Sequence, residues 1–567
     1  MSLGKFTFVL HTHLPYVLGH GKWPHGTDWL NEAAVECYIP LLNVFNRLVD
    51  EGIKPAITIG LTPILCEQLA HPAFPEILND YIDQKIEASV NDYEAFARTG
   101  DSKESLAAMW RDYFMAISRD FNEKYHRDIV GSFRKLQDDG HIEIITCAAT
   151  HGYLPLLGSD EAVRAQVRTG VETYRKHFGK QPAGIWLPEC AYRPSYAWTH
   201  PVDFPGKKTC DRAGVEEVLH ENGISYFIVD SHLLEGGKPI GAYIDRFDAL
   251  QRLWGQFEKA YTHIEGDPKT PRKSYLVSSR GGPKVAAILV RDTQTALQVW
   301  SGEYGYPGDG NYLDFHKKHF PGGNRYWRVT GAKVDLGDKK EYDPSIIAAR
   351  LNENAGHFKD LIKKQLTAYR DEVGEAGILV APFDTELFGH WWFEGPEFIY
   401  NVCKWVAADP DLEPATGGQM LQTNPPTEII AIPEGSWGEG GYHYIWLNEW
   451  TEWSWKHIYL AETKMGELAE AFAASDDPTI KRLMKQLARE LLLLEASDWQ
   501  FLISTWSARD YAEMRLSVHD EYFKRLVGIL DHYRANGGLS DADGNFLDEL
   551  EAQDSVFADV DPLWWKK

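Results

Sequence analysis

No apolar run in the 567-residue sequence approaches the roughly 20 residues a bilayer-spanning helix needs, so an integral membrane protein is not expected. A signal peptide is not expected either: Met1 to Leu10 holds one lysine and a short apolar run that leads directly into His11-Thr12-His13. Cysteine is scarce. The six residues, Cys37, Cys66, Cys147, Cys190, Cys210 and Cys403, are scattered without a C-x-x-C pair. That argues against a zinc–thiolate site or a disulfide framework and fits a reducing, cytoplasmic setting. Positive charge is also short: 58 Lys+Arg face 83 Asp+Glu, a net charge of −25 with His neutral. An acidic surface repels polyanions, so neither nucleic acid nor an anionic membrane is an expected partner. Finally, no Gly-rich phosphate turn follows the first apolar strand, where His11-Thr12-His13-Leu14-Pro15 stands instead. This weighs against an open, doubly wound nucleotide-binding sheet.

What the chain does have is an ordinary globular core, with 44% hydrophobic and 25% charged residues, and an unusual supply of aromatics: 20 Trp, 27 Tyr and 25 Phe. Tryptophan is awkward to bury because of its size and its N–H. At this level some of it is expected to form flat surfaces for a ligand.

Seven short buried-type strands alternate with helical patterning. They are Phe6 to Leu10, Ala56 to Leu61, Ile142 to Cys147, Gly184 to Leu187, Tyr226 to Val229, Val285 to Val290 and Gly377 to Ala381. Polar side chains follow their C-terminal ends: His11 and His13, His151, Glu189, Asp230, Arg291 and Asp384. This is the pattern of a parallel (β/α) barrel with its site at the C-terminal rim. The expected divisions are a catalytic barrel over 1–74 and 141–425, an inserted helical subdomain over 75–140 with a break at Thr99-Gly100-Asp101-Ser102, a mobile loop over 240–282, and a C-terminal part over 426–567. That last part starts with a Gly- and Trp-rich stretch and becomes helical from about Glu467, as in Thr479 to Ala496 and Ala508 to Asn536.

Two of the strand ends place a carboxylate among aromatics, at Trp186-Leu187-Pro188-Glu189 and at Phe383-Asp384-Thr385-Glu386-Leu387-Phe388-Gly389-His390-Trp391-Trp392. A closed barrel brings distant strand ends to one rim. Two rim carboxylates in an aromatic cleft suit glycosidic chemistry, which needs one as nucleophile or base and the other as acid. Taken singly, either residue could equally cap a helix or pair with an arginine.

These stretches, with His11-Thr12-His13-Leu14-Pro15 and Ala496-Ser497-Asp498-Trp499, resemble the motifs of glycoside hydrolase family 57. Ala149-Thr150-His151-Gly152-Tyr153-Leu154-Pro155, Val299-Trp300, Gly305-Tyr306-Pro307-Gly308-Asp309 and the helical C-terminal part are similar to its 1,4-α-glucan branching members. The resemblance implies an incomplete seven-stranded barrel, an inserted helical subdomain and a C-terminal all-α domain. It also implies a retaining double displacement, with Glu189 as nucleophile and Asp384 as general acid/base, that cleaves an α-1,4 linkage and makes an α-1,6 branch during glycogen-type synthesis. His11, His13, Trp29, His151, Arg291, Trp300, Gly308, Trp437, Trp446 and Asp498 match substrate-binding positions, and Tyr243 matches a tyrosine on a loop over the site. Ser507 departs from the glutamine expected there. The implied partners are α-glucan donor and acceptor, with no cofactor and no metal.

Other readings compete. A 4-α-glucanotransferase or an α-amylase-type hydrolase would share the same motifs. The three histidines could instead hold a metal, as in a deacetylase or mannosidase-like barrel, although the acidic ligand expected beside them on the first strand is missing. A catalytically silent glucan-binding protein would not need both Glu189 and Asp384.

Overall fold

The computed structural model describes residues 2–235, 269–301 and 305–567. Seven parallel strands build the barrel wall: β1 (Gly4–Thr12), β2 (Thr58–Leu61), β3 (Glu143–Cys147), β4 (Gly184–Trp186), β5 (Tyr226–Val229), β6 (Ala286–Val290) and β7 (Gly377–Asp384). They pair in the order β7-β1-β2-β3-β4-β5-β6. Both faces of the wall are covered, which is why the strands read as continuous apolar runs rather than alternating ones.

The wall does not close along its full length. Between β6 and β7 the bridging contact is at Arg291 and Val380, with the Asp292 N–H donating to the Val380 carbonyl at 3.0 Å. Pro382 explains why pairing stops there. Residues 378, 380 and 382 turn their backbone polar groups away from β1, and a proline has no N–H to offer on that side. Below the bridge, the gap is occupied by residues from the stretch expected to be a loop over 240–282. Tyr275–Val277 is a strand antiparallel to β6, and the Ile378 N–H bonds the Arg272 carbonyl. At three residues the strand is too short to show a period. The same proline hid the true length of β7, which runs to Asp384 rather than ending at Ala381.

One set of side chains lines the inside of the wall. Val9, Ile145, Cys147, Trp186, Ile228, Leu289, Ile378 and Val380 form a buried cluster separate from the one that packs the helices against Phe6, Phe8 and Leu10. Because strand side chains alternate with period two, this register carries on upward to His11 and His13, His151, Asp230, Arg291 and Asp384. The functional rim is the continuation of the inner core.

Between β2 and β3, helix Phe74–Thr99 ends at Gly100, whose φ of 65° gives the left-handed C-cap that a side chain would resist, and helix Glu104–Arg119 packs back on it. After the barrel, helices Glu452–Phe472, Pro478–Leu494, Asp498–Thr505, Arg509–Asn536 and Asp541–Gln553 follow. The first begins 15 residues before the Glu467 expected from the pattern, because the apolar positions of its first turn are tryptophans, Trp453 and Trp455, that read as part of the aromatic stretch. No helix among the described residues is long and apolar enough to cross a membrane.

Candidate active site

The C-terminal ends of the strands open into a cavity of about 190 Å³. Its lining includes both carboxylates, Glu189 and Asp384, together with His11, His13, Trp29, His151, Arg291, Trp300, Trp437, Trp446 and Asp498. Of the residues expected at the site, Gly308 does not line this cavity; it ends the short turn Tyr306–Gly308. Tyr243 lies outside the described residues.

Asp384 closes β7 directly opposite His11 on β1. Beyond that pair the two strand ends stay joined: Thr12 and Thr385 hydroxyls meet at 2.7 Å, and the His13 N–H donates to the Glu386 carboxylate at 3.2 Å. Glu189 sits in the turn after β4 with φ 61° and ψ 25°, followed by Cys190 at φ 47°; His151 after β3 is also left-handed, at φ 62°. Each such non-glycine conformation costs roughly 1–3 kcal/mol and persists only where the surroundings impose it. For Glu189 the surroundings are Trp437. Its backbone N–H donates to the Glu189 carbonyl at 3.0 Å and its indole N–H to the carboxylate at 2.7 Å. The residue after Trp437 must be glycine, since a Cβ on Gly438 would lie 2.5 Å from the Trp446 ring.

The aromatics at the rim pack in two groups. His11 stacks on Trp186 at 4.6 Å and 8°, Trp437 stands edge-on to Trp186 at 5.0 Å, and Trp446 stacks on Tyr153 at 4.4 Å. The histidines are mutually ordered: Nε2 of His11 and His151 meet at 2.9 Å, His151 Nδ1 faces the Ser497 hydroxyl at 2.8 Å, and His13 Nε2 lies 3.0 Å from both Asp498 oxygens. Ser497 and Asp498 belong to the C-terminal helical part, so that part completes the rim. Arg291 pairs with Asp230 at 3.3 Å and lies over Trp437.

Burial, first, pushes the Asp384 carboxyl well above the usual range, and the neighbouring charges of Glu189 and Glu386 add to it. Glu189 is pushed up to about 7, again mainly by burial, while the Trp437 indole N–H opposes the rise. Burial also holds His11 and His151 well below the ordinary histidine range, as neutral imidazoles. Neutral rings hydrogen-bond sugar hydroxyls, and they also bind metals. The ligand atoms of His13, His151 and Asp498 are close enough for an ion, but both ring nitrogens of His13 and His151 already have partners, with His13 Nδ1 on Thr62.

Several cavity residues were not singled out from the sequence: Glu386, His390, Trp391, Glu439, Phe501 and Leu502. Glu386, His390 and Trp391 were within reach, because they lie in the same motif as Asp384; a 3₁₀ turn at Thr385–Leu387 carries Glu386 back to the rim. That motif also contains a glycine demanded by packing. Gly389 has φ 124°, and a Cβ there would lie 1.9 Å from the Glu36 carbonyl oxygen.

Residues 457–565 match the 1,4-alpha-glucan branching enzyme C-terminal family. A 1,4-alpha-glucan branching enzyme from Thermococcus kodakarensis is 43% identical over 98% of this chain and 78% of its own length. Its crystal structure, in complex with glucose, superposes with a TM-score of 0.90 at 42% identity, covering 100% of this chain and 97% of that one. A GH57-type branching enzyme from Pyrococcus horikoshii gives 0.88 at 39% identity with coverage of 100% and 97%. The α-amylase AmyC from Thermotoga maritima gives 0.80 at 28% identity, covering 100% and 99%. With residues 7–432 matching the family along the same strands that carry the two carboxylates, the chain belongs to glycosyl hydrolase family 57.

Proposed function

We propose that the protein is a 1,4-α-glucan branching enzyme working by a retaining double displacement. Glu189 is the nucleophile and Asp384 the general acid/base. The observation that carries the assignment is that two carboxyls face one aromatic cavity and only Glu189 has the Trp437 indole N–H on it, at 2.7 Å. The charges of Glu189 and Glu386 add to burial at Asp384, whereas the Trp437 indole N–H favours the ionised form of Glu189, so Asp384 holds the proton while Glu189 is the first of the pair to ionise. Asp384 then protonates the glycosidic oxygen as Glu189 attacks the anomeric carbon, giving a glycosyl–enzyme ester and a free non-reducing chain end. Asp384, now a carboxylate, takes the proton from the incoming C6 hydroxyl as that oxygen displaces Glu189, which restores both groups. Retention asks for carboxyls about 5–5.5 Å apart.

Branching differs from hydrolysis only in the acceptor, so the site must hold a glucan and keep water from the ester. The aromatic lining of Trp29, Trp300, Trp437 and Trp446, and the cover supplied by Asp498, Phe501 and Leu502, support that use. The names of the relatives and the C-terminal match support branching over plain hydrolysis. The reading includes a glycogen-type product and a cytoplasmic location, and the free cysteines support the second of these.

The test is incubation with amylose, then enzymatic debranching and chain-length analysis. New α-1,6 linkages are expected. Redistributed or cyclic α-1,4 chains alone would mean 4-α-transfer, and rising reducing ends alone would mean an amylase.

A further inference from the structure

We propose that Glu386 is a positioning residue of the reaction, a third buried carboxyl that fixes the rim at His13 and acts electrostatically on Asp384. The proposal rests on the assignment of Asp384 as acid/base. Glu386 follows Asp384 by two residues, and its Oε1 accepts from the His13 N–H at 3.2 Å and from the Tyr38 hydroxyl at 2.8 Å. It lines the cavity, yet only 8% of it is exposed. No lysine or arginine forms an ion pair with it among the described residues, so its charge, when present, is not neutralised locally.

Two consequences follow from that placement. The carboxyl is a brace: through His13 it holds the ring that reaches Asp498, and so links the end of β7 to the C-terminal helices. It is also a charge beside the acid. Burial raises Glu386 to about 7, with the Tyr38 hydroxyl pulling the other way. From neutral pH upward Glu386 is therefore ionised in step with the range where Asp384 has to keep its proton, and like charge favours that protonation. A branching enzyme gains twice from this, because the same residue must act as acid toward the donor and as base toward a hydroxyl.

The roles separate by mutation. Glu386→Gln keeps the acceptor oxygen for His13 and Tyr38 but removes the charge; Glu386→Ala removes both; Tyr38→Phe makes Glu386 harder to ionise. The measurement is kcat/KM for amylose cleavage from pH 5 to 10, with thermal unfolding as the folding control. For Glu386→Gln, KM and unfolding temperature should stay near those of the parent while the alkaline limb moves down by about 1 pH unit. Tyr38→Phe should move the limb the same way by less, and Glu386→Ala should in addition raise KM several-fold. An alkaline limb that stays in place in Glu386→Gln overturns the proposal. Asp384→Asn in parallel keeps the two assignments apart: an active Asp384→Asn enzyme sinks the acid/base reading itself, whereas a dead one beside an unmoved Glu386→Gln profile sinks the Glu386 role alone.

Discussion

The molecule buries carboxyl groups in two places, and the surroundings differ. At the rim, Glu189, Asp384 and Glu386 face a cavity. At the seam between the barrel and the C-terminal helices, Glu462, Glu490, Glu495 and Asp554 face protein only. Glu462 accepts from the Gly158 N–H at 3.0 Å, Glu495 from Gln166 at 2.8 Å, Glu490 pairs with His519 at 2.8 Å, and Asp554 with His20 at 2.6 Å. Burial pushes Glu462, Glu490 and Glu495 upward, as it does the rim carboxyls. A raised carboxyl is therefore no mark of catalysis by itself; what separates the two groups is an open face and a reacting atom's worth of space. Metal-like geometry misleads in the same way. Glu490, His519 and Asp554 have ligand atoms close enough for an ion, but Arg515 donates to His519 Nε2, which requires the ring hydrogen on Nδ1 where a metal would bind. The triad is a hydrogen-bonded lock.

The sharpest way to break this comparison is to neutralise each kind of carboxyl. Glu189→Gln or Asp384→Asn should cut turnover by about 10⁴-fold, with unfolding temperature unchanged or higher, since the first removes a buried charge and the second replaces a carboxyl that is already neutral. Assay of initial rates beside a thermal melt checks both halves; a stable variant with near-normal rate would end the assignment.

A smaller effect is expected from Trp437→Phe. Losing the indole N–H leaves the Glu189 carboxylate without its 2.7 Å donor, so its pKa should rise above about 7. The acid limb of the kcat/KM profile should then move to higher pH, with about a 10-fold loss at pH 7. A profile that shifts the other way would contradict the hydrogen bond's role.

The smallest effect belongs to the seam. A carboxyl raised in the folded state stabilises it at pH below the unfolded value, and that stability is lost as pH climbs toward the folded value. Unfolding temperature should therefore fall from about pH 4.5 upward, and Glu462→Gln should flatten the fall by about 1–3 °C at pH 8 while leaving activity at the parent level. If Glu462→Gln abolished branching instead, the seam would have to be counted as part of the active site.

Much of this was legible in the residues. The seven strands, the helix break at Gly100 and the helices Pro478–Leu494 and Arg509–Asn536 follow from apolar periodicity and punctuation. Glu189 and Asp384 could be picked out because a strand-end carboxylate flanked by tryptophans is a rare local combination. The last strand was expected to end at Ala381 but runs on through Pro382 to Asp384, because a proline's cost depends on which neighbour its missing N–H faces. Glu386 was within reach in the Asp384 motif but was not singled out, and Leu502 went unnoticed, since nothing local distinguishes an apolar residue that roofs a cavity from its counterparts in a core.

By itself, then, the sequence determined which residues of each strand share a face, because side-chain alternation is a local property of the backbone. It also set which residues are chemically able to carry the reaction. Only the tertiary structure decided which of the buried carboxyls meet a cavity, that the wall stays open beside Pro382, and that Ser497 and Asp498 return to the rim at His151 and His13. Those outcomes depend on distances between segments hundreds of residues apart, and burial, which sets the proton on Asp384, is a property of the assembled fold.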